Sequence, residues 1–423
     1  MSPSITRSTK EFTIFSPAKS FIIRSADIHR HLFVTQDYGP DLGGMARRHV
    51  ELCRRFGDGK ETVMSVSTVA SPGAASFDQH EYYRIYRQAF PFERANRFSN
   101  QLRWARWLTS NRAPGFDVLH CGNIRPVGYG VRWTNRQLGT PYLVYVNGGD
   151  LLRERLKSER SAIKKLSARS IMGNAAGIVA TSKWVAQLAT DVMHEVGVEK
   201  LPPVAALDLG TDPDHFSPSR DTGALRRRWG VGDAPIILTV ARLVPHKGQD
   251  IGIRALAMLA HDFPQLRYIM VGEGHDEQRL RELARDLGVS DKVGFVGAMR
   301  DDELPEAYAT STIYLGASRV DRDINVEGFG ISFLEAGASG VPSIAGDSGG
   351  VRSAVRDGET GIVVAPTDVD AVADAIRSLL LNESRRKEMG HAGRRAVETH
   401  YNWERVARDT RDFTRQVVGA HGQ

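Results

Sequence analysis

Short apolar runs separated by amphipathic stretches set the rhythm of this chain: His31 to Thr35, Val118 to His120, Tyr142 to Val146, Gly177 to Ala180, Ile236 to Val240, Arg267 to Val271, Val293 to Val296 and Ile313 to Leu315. Runs this short, bounded by turn residues, predict strands buried on both faces. The helix-length segments between them predict a parallel sheet covered by helices. The rhythm breaks between Asp208 and Arg220, where Asp208, Gly210, Asp212, Pro213, Asp214 and Pro218 punctuate the chain, and a domain boundary is predicted there. Beyond it, Ala224 to Gly230 reads as a basic helical piece, and a second α/β series runs from Ile236 to about Val364. From Asp368 onward the pattern is wholly helical, with Val369, Val372, Ala375, Ile376 and Leu379 at helix spacing. The expected organisation is an N-terminal extension (1–30) followed by two tandem Rossmann-like, doubly wound α/β domains (31–217 and 218–401). Such domains bind ligands in a cleft at the carboxyl ends of their strands.

Composition narrows the function classes. The 423 residues suffice for two to three domains, and 41% hydrophobic with 25% charged residues exclude wholesale disorder and a polytopic membrane protein. The 56 Lys and Arg against 50 Asp and Glu leave +6, short of a dedicated nucleic-acid binder, so no nucleic-acid partner is expected. Anionic small molecules and a membrane surface remain as partners. Cys53 and Cys121 supply neither a disulfide framework nor metal-ligand spacing, which fits a reducing cytoplasm. Glu11, Lys19 and Arg24 interrupt any signal-peptide core in the first residues, and no apolar run is long enough to span a bilayer.

Chemistry concentrates in a few segments. Glu327 and Glu335 flank the turn Gly328-Phe329-Gly330, which leads into the apolar segment Ile331 to Ala338. A helix beginning near Phe329 would leave outward amides for ligand oxygens, with Glu327 at its mouth and Glu335 about two turns in. Carboxylates so placed suit sugar hydroxyls, although the same spacing fits a plain helix with one N-terminal and one solvated glutamate. Arg242 and Lys247 follow the Ile236 to Val240 strand, where two cations on one loop can neutralise a diphosphate; unrelated surface cations are the other reading. Gly272 and Gly274 close the next strand and allow close backbone approach. Gly43 and Gly44 precede a helix predicted over Met45 to Phe56. Asn147-Gly148-Gly149-Asp150 ends the Tyr142 strand. Asp321-Arg322-Asp323 reads as a solvated loop, and His120-Cys121 as a packed strand end. No Gly-x-Gly-x-x-Gly follows a predicted strand, which disfavours a dinucleotide-dependent dehydrogenase.

The Glu327 and Glu335 pair with its Glu-Gly-Phe-Gly core resembles the signature of the retaining glycosyltransferases of family 4, whose fold is GT-B. Ala336 to Ser343, Gly346 to Val351 and Asp357 to Gly361 resemble the segments that follow this signature. Val240 to Gly248 resembles the family's basic phosphate loop, and Tyr38 to Met45 its N-terminal glycine loop. The segment Asn325 to Gly330 is most similar to the phosphatidylinositol mannosyltransferase branch.

The resemblance implies transfer of a hexosyl group from a GDP- or UDP-linked sugar, with retention, to a hydroxyl of a lipid-linked, polysaccharide or small-molecule acceptor. Neither cofactor nor metal is implied. It assigns Arg242 and Lys247 to the departing diphosphate, Glu335 to the ribose, and Glu327 with the Gly328, Phe329 and Gly330 amides to the sugar. Gly43, Gly44, Gly272 and Gly274 would approach the nucleotide, Val296 would lie against the base, and Asn147, Gly148 and Asp150 would meet acceptor or sugar. Asn147 stands where many relatives carry His, and an amide cannot act as a general base; Ser353 likewise replaces a common Glu. The segment from Tyr401-Asn402-Trp403-Glu404 onward would cross back to complete the first domain (402–423). A nucleotide-sugar epimerase and a catalytically silent nucleotide-sugar binding protein are the rival readings. Finally, Phe92 to Arg112 and Leu151 to Arg169 interleave basic with apolar residues. They read either as membrane-surface helices, making the protein peripheral at the inner face of the membrane, or as ordinary surface helices.

Overall fold

The computed structural model describes residues 30–40, 43–57, 62–89, 97–112, 115–322 and 324–419. The expected N-terminal extension, Arg30 excepted, and Asp323 lie outside the described residues. The first lobe holds β1 (Arg30–Val34), β2 (Val63–Val69), β3 (Arg84–Gln88), β4 (Val118–Cys121), β5 (Tyr142–Val146), β6 (Gly177–Ala180) and β7 (Val204–Ala206) in the order β3-β2-β1-β4-β5-β6-β7. The second holds β8 (Ile236–Val240), β9 (Arg267–Val271), β10 (Val293–Gly297), β11 (Ile313–Gly316), β12 (Ser343–Gly346) and β13 (Gly361–Val364) in the order β10-β9-β8-β11-β12-β13. Neighbouring strands pair in parallel, with Phe33 opposite Val66 on one side and His120 on the other. These are the two tandem doubly wound sheets expected from the sequence.

Burial on both faces explains which strands the pattern revealed. Every residue of β5 is inaccessible, so it reads as an unbroken apolar run. β2, paired on both sides between β3 and β1, carries Ser65, Ser67 and Thr68 into the interior, where the Trp104 indole N–H donates to Ser67 Oγ at 3.2 Å. Polar side chains buried by the tertiary structure hid that strand.

Two chain crossings lie side by side between the lobes. The segment after β7 meets the returning chain through Thr211 N–H to Tyr401 C=O at 2.9 Å. Gly210 lies so close that a Cβ there would stand 2.6 Å from the Asn402 carbonyl carbon. Trp403–Gly419 then forms a helix packed on the Gly44–Phe56 helix. Arg55 Nε donates to Glu404 at 2.7 Å, and Arg411 caps the carbonyls of Arg55 and Phe56 at 2.8 and 2.9 Å.

The two basic stretches separate. In the Arg97–Trp107 helix Trp104 is buried and Trp107 packs on Tyr86, so these tryptophans belong to the interior rather than to a membrane face; Arg94 lies outside the described residues. The Ala162–Gly173 helix instead exposes Ile163 and Leu166, at 78% and 63%, beside exposed Lys164, Lys165 and Arg169. No helix among the described residues is long and apolar enough to cross a membrane.

Candidate active site

A cleft of about 510 Å³ opens between the lobes at the carboxyl ends of their strands. Gly44, Met45, Arg47, Arg48, Asn147 and Gly148 line its first-lobe wall. Arg242, Lys247, Gly272, the Glu327 to Gly330 turn and Glu335 line the other. At its floor the lobes touch: a Cβ on Gly148 would stand 2.9 Å from both Trp184 and Val326, and Ser182 Oγ donates to the Gly328 carbonyl at 2.9 Å.

The cationic loop is built by its backbone. After β8 the chain makes a single tight turn, Pro245–Lys247, closed by Gly248 at φ 73°, where a Cβ would lie 2.0 Å from the Ala317 carbonyl oxygen. Only glycine fits both the left-handed conformation and that approach. The Arg242 carbonyl accepts from Val244 N–H and Gln249 Nε2, each at 3.0 Å, which fixes the loop while the Arg242 side chain faces the cleft. Lys247 Nζ donates to Glu327 Oε2 at 2.6 Å, joining residues 80 apart in sequence. Burial alone would raise the Glu327 carboxyl, but the Lys247 ammonium and the Phe329 N–H outweigh it and hold the pKa below its ordinary value. Burial, with Lys247 and Arg242 close by, lowers His246 to about 4, so it is neutral beside the two cations.

The helix after the glycine turn spans Ile331–Ala338, with Gly330 at φ 98° as its N-cap. It therefore starts after Gly330 rather than near Phe329, and its first amides, those of Ile331 and Ser332, belong to residues lining the cleft. Phe329 turns inward to pack on Tyr401. Glu335 is buried rather than solvated, and both its oxygens are engaged: Arg47 Nη1 donates to Oε1 at 3.0 Å and the Tyr308 hydroxyl to Oε2 at 2.6 Å. Arg47 also meets Asp301 at 2.5 Å. Although burial disfavours its charge, Glu335 and Asp301 raise the Arg47 pKa above its ordinary value.

Most of the expected residues converge here, and several do not. Gly43 caps the helix that begins at Gly44, one residue earlier than expected, but does not itself line the cleft. Gly274 serves the backbone, since a Cβ there would meet the Leu243 carbonyl oxygen at 2.0 Å. Val296 stays within edge strand β10, and Ala298 and Met299, just past the strand end, reach the cleft in its place. Asp150 is a helix cap: its Oδ1 accepts from Asn147 and Leu151 N–H at 2.8 and 2.9 Å. Burial lifts that carboxyl to about 7, against the lowering effect of those amides. Sequence reasoning missed Arg47, Arg48 and Tyr308. The first two left a readable trace, adjacent arginines one turn beyond Gly43 and Gly44, whereas Tyr308 lies on a separate helix, Leu304–Ala309. No cluster of potential metal ligands occurs among the described residues.

Comparison with known proteins covers both lobes. The family profiles described as Glycosyltransferase Family 4 and Glycosyl transferases group 1 match residues 42–197 and 221–396. The GDP-mannose-dependent alpha-(1-6)-phosphatidylinositol monomannoside mannosyltransferase of Mycobacterium tuberculosis is 31% identical over 393 residues, covering 91% of this chain and 98% of that protein. A D-inositol 3-phosphate glycosyltransferase of Acidothermus cellulolyticus is 34% identical over 224 residues, 50% of this chain and 48% of its own length. Among solved structures, sucrose-phosphate synthase from Thermosynechococcus elongatus superimposes with TM-score 0.76 at 21% identity, covering 93% of this chain and all of that one. Anabaena HepE in complex with UDP and glucose gives 0.72 at 20%, covering 91% and 99%. At such identities the structural likeness establishes the fold alone.

Proposed function

Because the chain belongs to the family 4 glycosyltransferases of GT-B fold, enzymes that use nucleotide sugars, we propose that it moves a mannosyl group from GDP-mannose to a hydroxyl of a phosphoinositide-type acceptor, with retention at the anomeric carbon. The observation that carries this reading is the second-lobe wall, where Arg242, Lys247, Glu327 and Glu335 converge on one cleft. The donor and acceptor classes follow the mannosyltransferase that this chain matches over 98% of its length.

In this reading the diphosphate lies against Arg242 and Lys247, whose fixed charges stabilise the negative charge that grows as the glycosidic C–O bond breaks. Glu335 holds the ribose, and Glu327 with the turn at Gly328 to Gly330 positions the sugar. The acceptor oxygen attacks from the face that the diphosphate leaves, and the departing phosphate oxygen takes its proton. That route needs no side-chain base, consistent with Asn147 at the sugar side and with a Glu327 already held by Lys247. The two cations make a metal unnecessary, so activity should survive exhaustive treatment with EDTA.

The enzyme would meet a lipid acceptor at an anionic membrane surface through the Ala162–Gly173 helix, whose apolar and basic side chains are exposed together. Incubation with GDP-mannose or UDP-glucose, with and without a phosphatidylinositol mannoside, tests the reading, and the anomeric configuration of the product is read by NMR. Acceptor-dependent transfer with α configuration is expected. Product formed without acceptor would point to the epimerase, and nucleotide binding without turnover to the silent binding protein.

A further inference from the structure

Arg48 has no role in the account so far, yet it lines the first-lobe wall of the cleft while being only 2% exposed. Among the described residues its guanidinium has no carboxylate within ion-pair distance. It touches Asn147 Oδ1 at 3.4 Å and lies over the Tyr145 ring at 5.0 Å. Its neighbour Arg47, by contrast, is held by Glu335 and Asp301.

The groups packed around Arg48 do not neutralise it. Tyr145 is a buried phenol whose pKa is pushed upward, and burial, reinforced by Arg48 itself, lowers His49 to about 3. Asp150, the carboxyl that acts on Arg48 through space, is itself raised to about 7. Beneath it the Tyr145 hydroxyl is tied to His120 Nδ1 at 2.9 Å, and His120 Nε2 to His31 Nδ1 at 2.9 Å, a buried row of phenol and imidazoles that supplies no carboxylate. A buried cation without a counter-charge is costly unless something supplies one. A second donor waits in the same corner: Asn147 Nδ2 is buried without an acceptor, on a residue that also lines the cleft.

We propose that Arg48, together with the Asn147 amide, binds a phosphate carried by the acceptor, making that phosphate a condition of acceptor recognition. The proposal rests on the transferase reading above, in which Arg242 and Lys247 on the facing wall already serve the donor diphosphate. Arg48 stands on the opposite wall, where a second anionic group can be met without competing for those cations. Guanidinium and amide together offer several N–H groups to one phosphate, a geometry an ammonium would reproduce only in part.

Calorimetric titration of the GDP-saturated protein with D-inositol 3-phosphate, myo-inositol and inorganic phosphate tests this directly. The wild-type protein should bind D-inositol 3-phosphate more tightly than myo-inositol by about tenfold or more, the scale of a charge-assisted hydrogen bond, and should bind inorganic phosphate weakly. Arg48→Met should erase that preference while the affinity for GDP stays within about twofold, and Arg48→Lys should retain part of it. A merely structural arginine would leave the ratio of the two affinities unchanged in a folded variant, and that result would overturn the proposal. So would a wild-type protein that binds GDP but neither phosphate compound, or an Arg48→Met variant that loses GDP affinity and keeps the preference. If Arg48→Met does not fold, Arg48→Lys decides: full retention of the preference overturns the proposal, and partial loss supports it. Failure of the wild-type protein to bind GDP would instead remove the transferase reading itself.

Discussion

Lys247 and Glu327 form an ion pair that a diphosphate sugar would have to share. If Arg242 and Lys247 hold the leaving diphosphate as proposed, replacing either by Ala removes a preorganised donor, and turnover should fall by about a hundredfold or more. Near-normal turnover in both variants would detach the loop from the diphosphate. Glu335 sits between Arg47 and Tyr308, and Glu335→Ala should weaken binding of bare GDP by about tenfold, as expected for a lost hydrogen bond to a charged group. Unchanged affinity in equilibrium titration would take Glu335 away from the ribose. Asp150 makes a pH prediction. Its folded-state pKa of about 7 lies above the ordinary 3.8, so between those values the folded protein keeps a proton that the unfolded chain releases. The contribution of Asp150 to stability is therefore full at low pH and declines as pH rises toward 7. Asp150→Asn keeps an oxygen for the capping amides and should flatten that decline, as read by melting temperatures from pH 5 to 7.5.

Short elements carry these side chains, and close backbone approaches hold the elements in position. The turn at Pro245–Lys247 delivers Lys247 only because Gly248 adopts φ 73° against the Ala317 carbonyl. Gly248→Ala adds a left-handed penalty of roughly 1–2 kcal/mol together with a steric clash. It should lower both the melting temperature and GDP affinity; unchanged GDP affinity would show that the turn does not position the cation. The Ile331–Ala338 helix is fixed in a comparable way, its Gly337 facing Gly393 of the Glu383–Thr399 helix so closely that a Cβ on Gly337 would stand 3.4 Å from the Gly393 backbone. No single segment of the sequence reveals such a contact, because the partner glycine comes from a helix far along the chain.

Across the whole molecule, the paired crossings at Thr211 and Asn402 let one closing helix, Trp403–Gly419, bind the first lobe while the chain's second lobe carries the cations. Surface chemistry is distributed unevenly as well. With Ile163, Leu166 and the neighbouring Lys164, Lys165 and Arg169 exposed on one helix, the protein should co-sediment with anionic but not neutral liposomes at low salt. Each basic residue near the surface contributes about 1 kcal/mol, so high salt should release it. Ile163→Ser with Leu166→Ser should abolish binding, and persistence of binding in that variant would move the contact to another surface.

The α/β class was legible in the sequence because buried parallel strands are local patterns, and Arg242, Lys247, Glu327 and Glu335, picked out from glycine-flanked charged turns, do line one cleft. What stayed hidden depends on partners distant in the chain. β2 concealed its burial behind Ser65 and Ser67, whose environment only the folded interior supplies. Asp150 looked like a ligand group until its carboxylate was seen capping its own helix. Arg47 and Arg48 are adjacent in sequence, yet among the described residues one forms ion pairs with two carboxylates and the other with none. Periodicity fixes which residues lie inside, whereas the charge that each buried cation meets is set by the packing of one lobe against the other, and that is a property of the tertiary structure alone.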